Sequence, residues 1–361
     1  MTEPLFTSVA PVFEIDGEVR GELARDVLRL EVEEDTDGLR RLQARLIAFG
    51  PPADGGAERL LYLDGRVLDF GKEIRVAIGP AEGARFIFRG QISGIEADFE
   101  EGREPEVSVF AEDRLMSLRM TRRMRSYDDM SDADIAAAIA GEHGLTPAVE
   151  ADGPTYDVVH QINMSDLAFL RERARLVRAE IWIDGETLHF KSRAKRTATE
   201  LTLVQGNELI ALQARADLAH QRTAVHVSGY DAASREVIDE EAGEDALQAE
   251  IAGGRTGPSI LRTAFGERVS YRVREVPLVS GEAAEWACNE MLRRGRGFVQ
   301  VSGVSRGSAD MMVGSQLTLE RIGAPFEGGG YYVTRLCHTY DLSNGHRTCF
   351  DAERATVMEA G

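Results

Sequence analysis

The feature that most constrains the fold is an amphipathic pattern that occurs twice, once near the start and once near the end of the 361-residue chain. In each copy, a run with apolar residues at matching positions is followed by a turn and a second run. The matched residues are Ile92, Ile95 and Phe99 with Val333, Leu336 and Tyr340, then Phe110 and Arg114 with Phe350 and Arg354. The run before each copy also matches, with Ile74, Val76 and Ile78 against Leu317, Leu319 and Ile322. Because three elements recur in the same order, the sequence predicts a duplicated β unit.

Both regions around these runs alternate apolar and polar residues, as strands with one buried and one solvated face do. The first region covers residues 26–114, and the second covers about 200–225 plus 297–354. We therefore expect two antiparallel sheets or barrels of like topology.

A compact α+β segment separates the two β regions. Ser131, with Asp134 three residues on, predicts the start of a helix that ends at Gly144. A second helix is predicted over about 165–179. The Asp-Gly pair within residues 181–190 lies between alternating apolar residues, which predicts a β-hairpin.

A stretch rich in methionine and arginine connects the first β region to this segment. The methionines recur every four residues, which predicts a helical contact stripe: Met116, Met120 and Met124. The arginines between them are our candidate contacts with other subunits or neighbouring proteins: Arg119, Arg122, Arg123 and Arg125. The alternative interpretation is a solvated linker helix.

The second β region carries an insertion. Residues 231–278 are acidic and then rich in glycine, which predicts irregular structure, and a helix is predicted from Ser280 to Arg294. The predicted domains are a first β domain over 1–115, an α+β domain over 116–198, and a second β domain over 199–361 with the insertion at about 231–296.

Composition excludes several classes of protein. The chain has 42 Lys and Arg against 61 Asp and Glu, a formal charge of −19, so a general nucleic-acid-binding face is not expected. No apolar run approaches the ~20 residues of a membrane helix, and the first residues lack the features of a secretory signal. Three cysteines, Cys288, Cys337 and Cys349, cannot form a disulfide framework, so we expect synthesis in a reducing compartment.

Motifs for catalysis and cofactor binding are missing from the sequence. The phosphate-binding G-x-x-x-x-G-K-[ST] motif does not occur, and glycine motifs for dinucleotides or a nucleophilic serine lack the strand–turn–helix context they need. The best metal constellation is Cys337, His338, His346 and Cys349, but adjacent Cys337 and His338 point to opposite faces of a strand. We expect no enzymatic activity, no catalytic residues, no cofactor and no bound metal.

The middle and the end of the chain resemble the phage late control protein D family, the central hub proteins of contractile tails. The segments that carry this resemblance are 131–145, 161–175, 181–190, 338–341 and 345–350. The match is specific over residues 115–200 and extends to the flanking β regions in pattern. The family commonly has tyrosine where this chain has His346.

The resemblance implies a mainly β fold with an α+β insert, in which two barrels similar to the tail-tube fold flank a small LysM-like domain at about 127–165. It also implies a baseplate hub, of which three copies form a pseudo-hexameric ring between a hexameric tail tube and a trimeric spike. The implied partners are further copies of the chain, the tube, the spike and baseplate wedge proteins. The implied location is a virion or injection-system particle assembled in the bacterial host cytoplasm.

Two other functions stay open from the sequence. The LysM likeness suggests a tail protein that binds peptidoglycan, although no glycan groove is clearly marked. The same hub core also begins the VgrG spikes of type VI secretion, but this chain stops at Gly361, so a separate spike protein is expected. We further expect acidic residues to line a channel through which DNA or protein passes without specific binding, because such a wall repels phosphates over about 8–10 Å.

Overall fold

The computed structural model describes residues 10–79, 85–196, 198–232, 234–251, 253–273 and 279–359. A 13-stranded sheet, to which both β regions contribute, dominates the fold. The elements of the first region are β1 (Val12–Ile15), β2 (Glu18–Val19), α1 (Gly21–Asp26), β3 (Val27–Asp35), β4 (Arg41–Ile47), β5 (Phe49–Gly50), β6 (Arg59–Leu60), β7 (Glu73–Ile78), β8 (Arg85–Asp98) and β9 (Glu106–Glu112).

The first β unit is an antiparallel sheet in the order β3-β4-β9-β8-β7-β1-β2. Its strands follow the predicted alternation: β4 buries Leu42, Ala44 and Leu46 and turns the residues between them outward. These residues join apolar side chains of the neighbouring strands in one core. The period of two therefore decides which face packs.

The middle region holds three helices and five strands among its described residues. Its elements are α2 (Leu115–Arg119), β10 (Arg122–Ser131), α3 (Asp132–Glu142), β11 (Thr146–Glu150), β12 (Thr155–Ser165), α4 (Asp166–Leu176), β13 (Ala179–Asp184) and β14 (Thr187–Ser192), followed by a 3₁₀ turn, Arg193–Lys195. The predicted cap is confirmed, because Ser131 and Asp134 exchange side-chain and backbone hydrogen bonds at the start of α3. The predicted hairpin is β13–β14, and its turn includes Gly185 at φ +57°.

One strand of the segment predicted to be LysM-like pairs with a strand outside that segment. β10 and β12 form an antiparallel ribbon, but β11 pairs in parallel with β14, which lies outside residues 127–165. The middle region is therefore one interlocked α+β unit.

The second region completes the chain. Its elements are β15 (Glu200–Val204), β16 (Leu209–Ala216), β17 (Ala224–Asp231), β18 (Glu236–Gly243), a 3₁₀ helix (Glu244–Glu250), β19 (Arg255–Thr256), α5 (Gly257–Phe265), β20 (Val269–Val273), α6 (Ser280–Arg296), β21 (Val299–Arg306), β22 (Gln316–Glu320), β23 (Gly328–Asp341), β24 (Gly345–Arg354) and β25 (Thr356–Val357). The second β unit has the order β16-β21-β24-β23-β22-β15, with β15 parallel to β22.

The predicted duplication is confirmed by strand order and by register. The antiparallel order β3-β4-β9-β8-β7 of the first unit recurs as β16-β21-β24-β23-β22 in the second. Each unit has a register shift at the same place on its first strand, at Val27/Arg29 and at Leu209/Ala211. A second shift also recurs, at Ile92/Gly94 and at Val333/Arg335.

The register corrects two matches made from the sequence, Phe110 with Phe350 and Arg114 with Arg354. Ile95 pairs with Val109, and its equivalent Leu336 pairs with Phe350. Phe350 is therefore equivalent to Val109, not to Phe110, and Arg354 is equivalent to Asp113, not to Arg114. Both matches were wrong by one residue, which places a side chain on the opposite face of the sheet.

The described strands of the two β units share one open sheet rather than forming two closed barrels. The first unit could close only if β3 paired with the β1 end of its own sheet, but the outer side of β3 pairs with β23 of the second unit. The mainly β fold with an α+β insert is confirmed. The predicted domain boundaries at 115/116 and 198/199 stay a prediction.

The described part of the insertion has regular structure, contrary to the prediction, whereas residues 233, 252 and 274–278 lie outside the described residues. Among its described residues, β18 pairs antiparallel and β20 pairs parallel with β17, and α6 packs on this three-stranded sheet. Val225, Val227 and Ile238 are buried against α6 and form an apolar core. The acidic composition of the insertion gave no indication of this core. None of the helices in the described ranges is long and apolar enough to cross a membrane.

The predicted methionine stripe is also wrong. The helix α2 ends at Arg119, and the chain continues as β10, so the four-residue spacing does not place the methionines on one helical face. Met116 packs into the middle core, whereas Met120 and Met124 are 70% and 75% exposed. Pairing of β10 with β12 overrides the helical pattern.

Candidate assembly surface

One face of the shared sheet turns away from the cores and carries acidic and basic side chains side by side. Arg335 on β23 donates to Glu33 on β3 at 2.7 Å and lies 3.6 Å from Asp351 on β24. Similar pairs join strands of the first unit: Arg41 with Glu112, and Arg45 with Glu106. We call the side of the sheet that carries these residues the solvated face. Its ion pairs contribute little stability, but they neutralise much of the acid on this surface.

Besides the end strands β2 and β15, two segments of the shared sheet have an unpaired edge among the described strands. Among the described strands, β16 pairs with β21 alone. β8 pairs with β7 only as far as Gln91, so residues 94–98 have β9 on one side and no described strand on the other. Free backbone N–H and C=O groups at such edges can accept another strand. We call these segments the β16 edge and the β8 edge.

A buried ion network lies where the two units meet. Arg196, which follows the 3₁₀ turn, donates to Glu34 on β3 at 2.6 Å and to Glu180 on β13 at 3.1 Å. Arg40 donates to the other oxygen of Glu34 at 2.7 Å. Glu34, Glu180 and Arg196 are each less than a tenth exposed. Burial alone would raise the pKa of Glu34, but Arg40 and Arg196 hold it below its usual value.

The second unit joins the same network through β23. The Tyr332 hydroxyl donates to Glu180 at 2.7 Å, and Arg193 lies 3.6 Å above the Tyr332 ring. Arg193 also donates to Glu353 on β24 at 2.7 Å. Burial and the adjacent Glu180 raise the pKa of Tyr332, so its hydroxyl stays a donor. The network therefore connects both β units with the middle region.

A buried histidine pair adjoins this junction. The ring nitrogens of His338 on β23 and His346 on β24 lie 3.3 Å apart. Burial, with His346 and Arg40 nearby, lowers the pKa of His338 well below its usual value, so the ring is neutral at physiological pH. Cys337 and Cys349 pair across the same hairpin on the solvated face, so the four residues of the sequence-derived metal constellation do not converge. Within the described ranges, no cluster of His, Cys, Asp and Glu suits a metal ion.

The four arginines predicted as partner contacts are brought together only in part. Each has an acceptor within the chain: Arg119 has Glu112, Arg123 and Arg125 share Glu142, and Arg122 has the Asn163 carbonyl. Three of the four charges are thus paired inside the chain. Their role in contacts with other proteins stays a prediction.

Sequence reasoning missed the buried network. Glu34 was the one available signal, because it is a charged residue at an apolar position of an alternating strand. Arg196 lies in a polar connection, and no sequence pattern distinguishes it from other arginines.

The overall fold matches solved structures of tail proteins. The 43 kDa tail protein of prophage MuSo2 from Shewanella oneidensis is 13% identical, with a TM-score of 0.70 over 96% of this chain and 98% of that chain. The tail protein from Neisseria meningitidis MC58 is 11% identical, with a TM-score of 0.68 over 96% of both chains. The E. coli c3393 protein is 15% identical, with a TM-score of 0.58 over 94% of this chain and 76% of that chain. The likeness to tail proteins predicted from the sequence is thereby confirmed at the level of the fold.

A family model described as the Alg8 N-terminal domain matches residues 53–341, which is most of the chain. The chain belongs to this family. No curated protein sequence matches it.

Proposed function

We propose that this protein is the structural hub of a contractile-tail or injection-system baseplate. Three copies form a pseudo-hexameric ring that joins a hexameric tail tube to a trimeric spike. In this role the chain performs no catalysis and needs no cofactor. Its partners are further copies of itself, the tube, the spike and baseplate wedge proteins, within a virion or injection-system particle.

The observation that carries the proposal is the duplication within one continuous sheet. Each chain presents two β units of the same strand order and bulge positions, joined directly through β3 and β23. Three chains therefore offer six near-equivalent units to a six-fold partner and three identical chains to a three-fold partner. Closed cyclic symmetry of this kind limits its own size.

The neighbours in fold support the same role. Two of them are tail proteins by description, and the E. coli protein is described as a type VI secretion component similar to the T4 tail proteins gp27 and gp5. The buried ion network at the junction also suits a hub, because separating the units would leave buried charges without partners.

The charge pairing on the solvated face supports its role as a channel wall to which passing cargo does not adhere. Arg41, Arg45 and Arg335 on this face are each paired with a carboxylate, which weakens their attraction for phosphate. An overall charge of −19 per chain acts in the same direction.

Electron microscopy of the particle that contains this chain, or of the chain co-expressed with its tube and spike partners, tests the proposal. We expect three copies per particle in one ring, with the tube on one side and the spike on the other. Six copies per ring, or a channel lined mainly by unpaired arginine, would contradict it.

A second candidate is the core of a VgrG-like secretion spike, which the fold likeness to the type VI secretion component favours. The mass of the polypeptide in isolated particles separates the two. A hub leaves the needle on a separate polypeptide, whereas a spike core carries the needle on the same one.

A further inference from the structure

Within the chain, the two β units meet where β23 pairs with β3, which we call the closed junction. The equivalent strands, β8 and β16, have no such partner among the described strands. In the closed junction, the second half of β23, residues 335–341, pairs with β3, residues 29–35. The first half of β23 pairs with β22. β8, the equivalent of β23, pairs with β7 along its first half, but its second half is the β8 edge. β16, the equivalent of β3, is the β16 edge.

Side-chain exposure follows the same division. Leu30 and Val32 on β3 are almost fully buried beneath the closed junction, whereas their equivalents Leu212 and Ala214 on β16 are only half-buried. Tyr340 on β23 packs against the core of the first unit. Its equivalent Phe99, directly after β8, is 60% exposed.

We propose that the β16 edge of one copy pairs antiparallel with the β8 edge of the next copy, in the register of the closed junction. This inference rests on the proposed ring and names its subunit contact. Transfer of the β23–β3 register to the equivalent strands places Glu96 opposite Arg215, Ala97 opposite Ala214, and Phe99 opposite Leu212.

The chemistry of the two edges fits this register. Glu96 and Arg215 both lie on the solvated face, where opposite charges on facing strands attract each other. The Arg215 side chain is 71% exposed and contacts Asp217 of its own strand end, so it is free to turn to a second carboxylate. On the core face, Phe99 would cover Leu212 as Tyr340 covers Leu30. Backbone groups of both edges would be paired along the ladder.

The contact is head-to-tail, because it uses two different surfaces. If every junction repeats the rotation of the closed one, within-chain and between-chain junctions alternate around the ring. Three chains then give one closed ring of strands in which the β16 edge and the β8 edge of every copy are both paired. This removes an edge that would otherwise invite aggregation.

Disulfide trapping tests the register on the full chain. The variant Ala97→Cys/Ala214→Cys places two cysteines opposite each other across the proposed contact, at a distance that a disulfide spans. The matched control Ala97→Cys/Gln213→Cys moves one cysteine to the neighbouring position, whose side chain points to the other face. The two single variants account for reaction with native cysteines. Each protein is oxidised with air and a copper catalyst, then analysed on non-reducing gels, and its mass is measured by light scattering.

We expect the Ala97/Ala214 pair to give linked species up to the trimer, at least tenfold more than the shifted pair or either single variant. A trimeric ring in which this pair does not crosslink would overturn the proposed register and leave the proposed function intact. Crosslinked chains that extend beyond three copies would support the edge contact and overturn the ring of three. A protein that stays monomeric and uncrosslinked at every concentration up to its solubility limit would overturn both.

Discussion

The two β units of this chain share backbone pairings and differ in the side chains that fill them. At one equivalent pair of positions, Ala44 faces Val109 in the first unit and Gly303 faces Phe350 in the second. A Cβ added to Gly303 would lie 2.5 Å from the Phe350 ring. The large Phe350 ring thus fits because the facing residue, Gly303, has no side chain. The difference shows that packed volume and hydrogen-bond pattern, rather than residue identity, specify the unit.

The units also differ directly after their last strand. Asp113 accepts the backbone N–H groups of Arg40 at 2.8 Å and Leu115 at 2.9 Å. Its equivalent Arg354 donates to the carbonyls of Thr356 at 2.8 Å and Pro325 at 2.9 Å. The first unit continues into a helix, whose first N–H groups need an acceptor. After the last strand of the second unit, the acceptors are carbonyls of the following segment and of the β22–β23 connection, so a donor of the opposite charge is needed there.

The first comparison is between the stability contributed by the buried ion pairs of the closed junction and that contributed by an exposed ion pair on the solvated face. Arg196→Ala removes a partner from two buried carboxylates, Glu34 and Glu180. We expect the free energy of unfolding to fall by about 3–5 kcal/mol, as when other buried ion pairs are broken. Denaturant unfolding monitored by tryptophan fluorescence measures the change.

The matched control is Arg335→Ala at the same junction, where the ion pair is exposed. Its loss should stay below about 1 kcal/mol. Equal losses from the two variants would show that burial does not decide the strength of the junction.

The two units divide the same packed volume differently between facing strands. We therefore expect a destabilising substitution on one strand of the second unit to be rescued by a substitution on the facing strand. Gly303→Ala forces a methyl group into the Phe350 ring and should lower stability by about 1–3 kcal/mol. Adding Phe350→Val gives the second unit the residue pair of the first and should recover much of the loss. Melting temperatures of the wild type, both single variants and the double variant give the coupling. A double variant no more stable than Gly303→Ala would mean that the two positions are not equivalent to Ala44 and Val109.

Asp113, which follows the last strand of the first unit, should make the stability of the protein depend on pH. Burial raises the pKa of Asp113 to about 6, above its unfolded value, so the folded state binds the proton more tightly. Its contribution therefore favours folding below about pH 6 and is lost as the pH rises through 6. Asp113→Asn keeps an acceptor without the charge. We expect it to gain about 1–2 kcal/mol relative to the wild type on going from pH 5 to pH 8.

Unfolding of both proteins across this pH range measures the effect of Asp113. Asp98→Asn, at an exposed carboxylate on the solvated face, is the control and should follow the wild type. An Asp113→Asn curve parallel to that of the wild type would mean that Asp113 does not titrate in this range.

The smallest effect on stability is expected at the open edges. Arg215→Glu changes an exposed side chain and should alter the free energy of unfolding by less than about 0.5 kcal/mol. It places a second acid opposite Glu96 of the next copy, so association should weaken severalfold. The charge-swapped double variant Arg215→Glu/Glu96→Arg should restore association. Association that responds to neither change, measured by sedimentation, would argue against this pair.

Local signals in the sequence determined much of the fold. Alternation predicted the strands of both units, Ser131 predicted the start of α3, and the Asp-Gly pair predicted the turn of β13–β14. The order of three matched runs was enough to predict the duplication. These features depend on neighbours within a few residues, or on a pattern that repeats along the chain, so they can be recognised without knowing what packs against them.

Only the tertiary structure decided how the units connect. β3 pairs with β23 across most of the chain, and Arg196 reaches Glu34 from a position 162 residues away. The sequence records neither contact locally, so the open sheet and the buried network could not be predicted. The same reason explains the strands in the described part of the insertion and the strand found in place of the predicted methionine helix. In both, pairing with a distant partner outweighed the local pattern, because a strand gains its hydrogen bonds and half its burial only from the neighbour it meets.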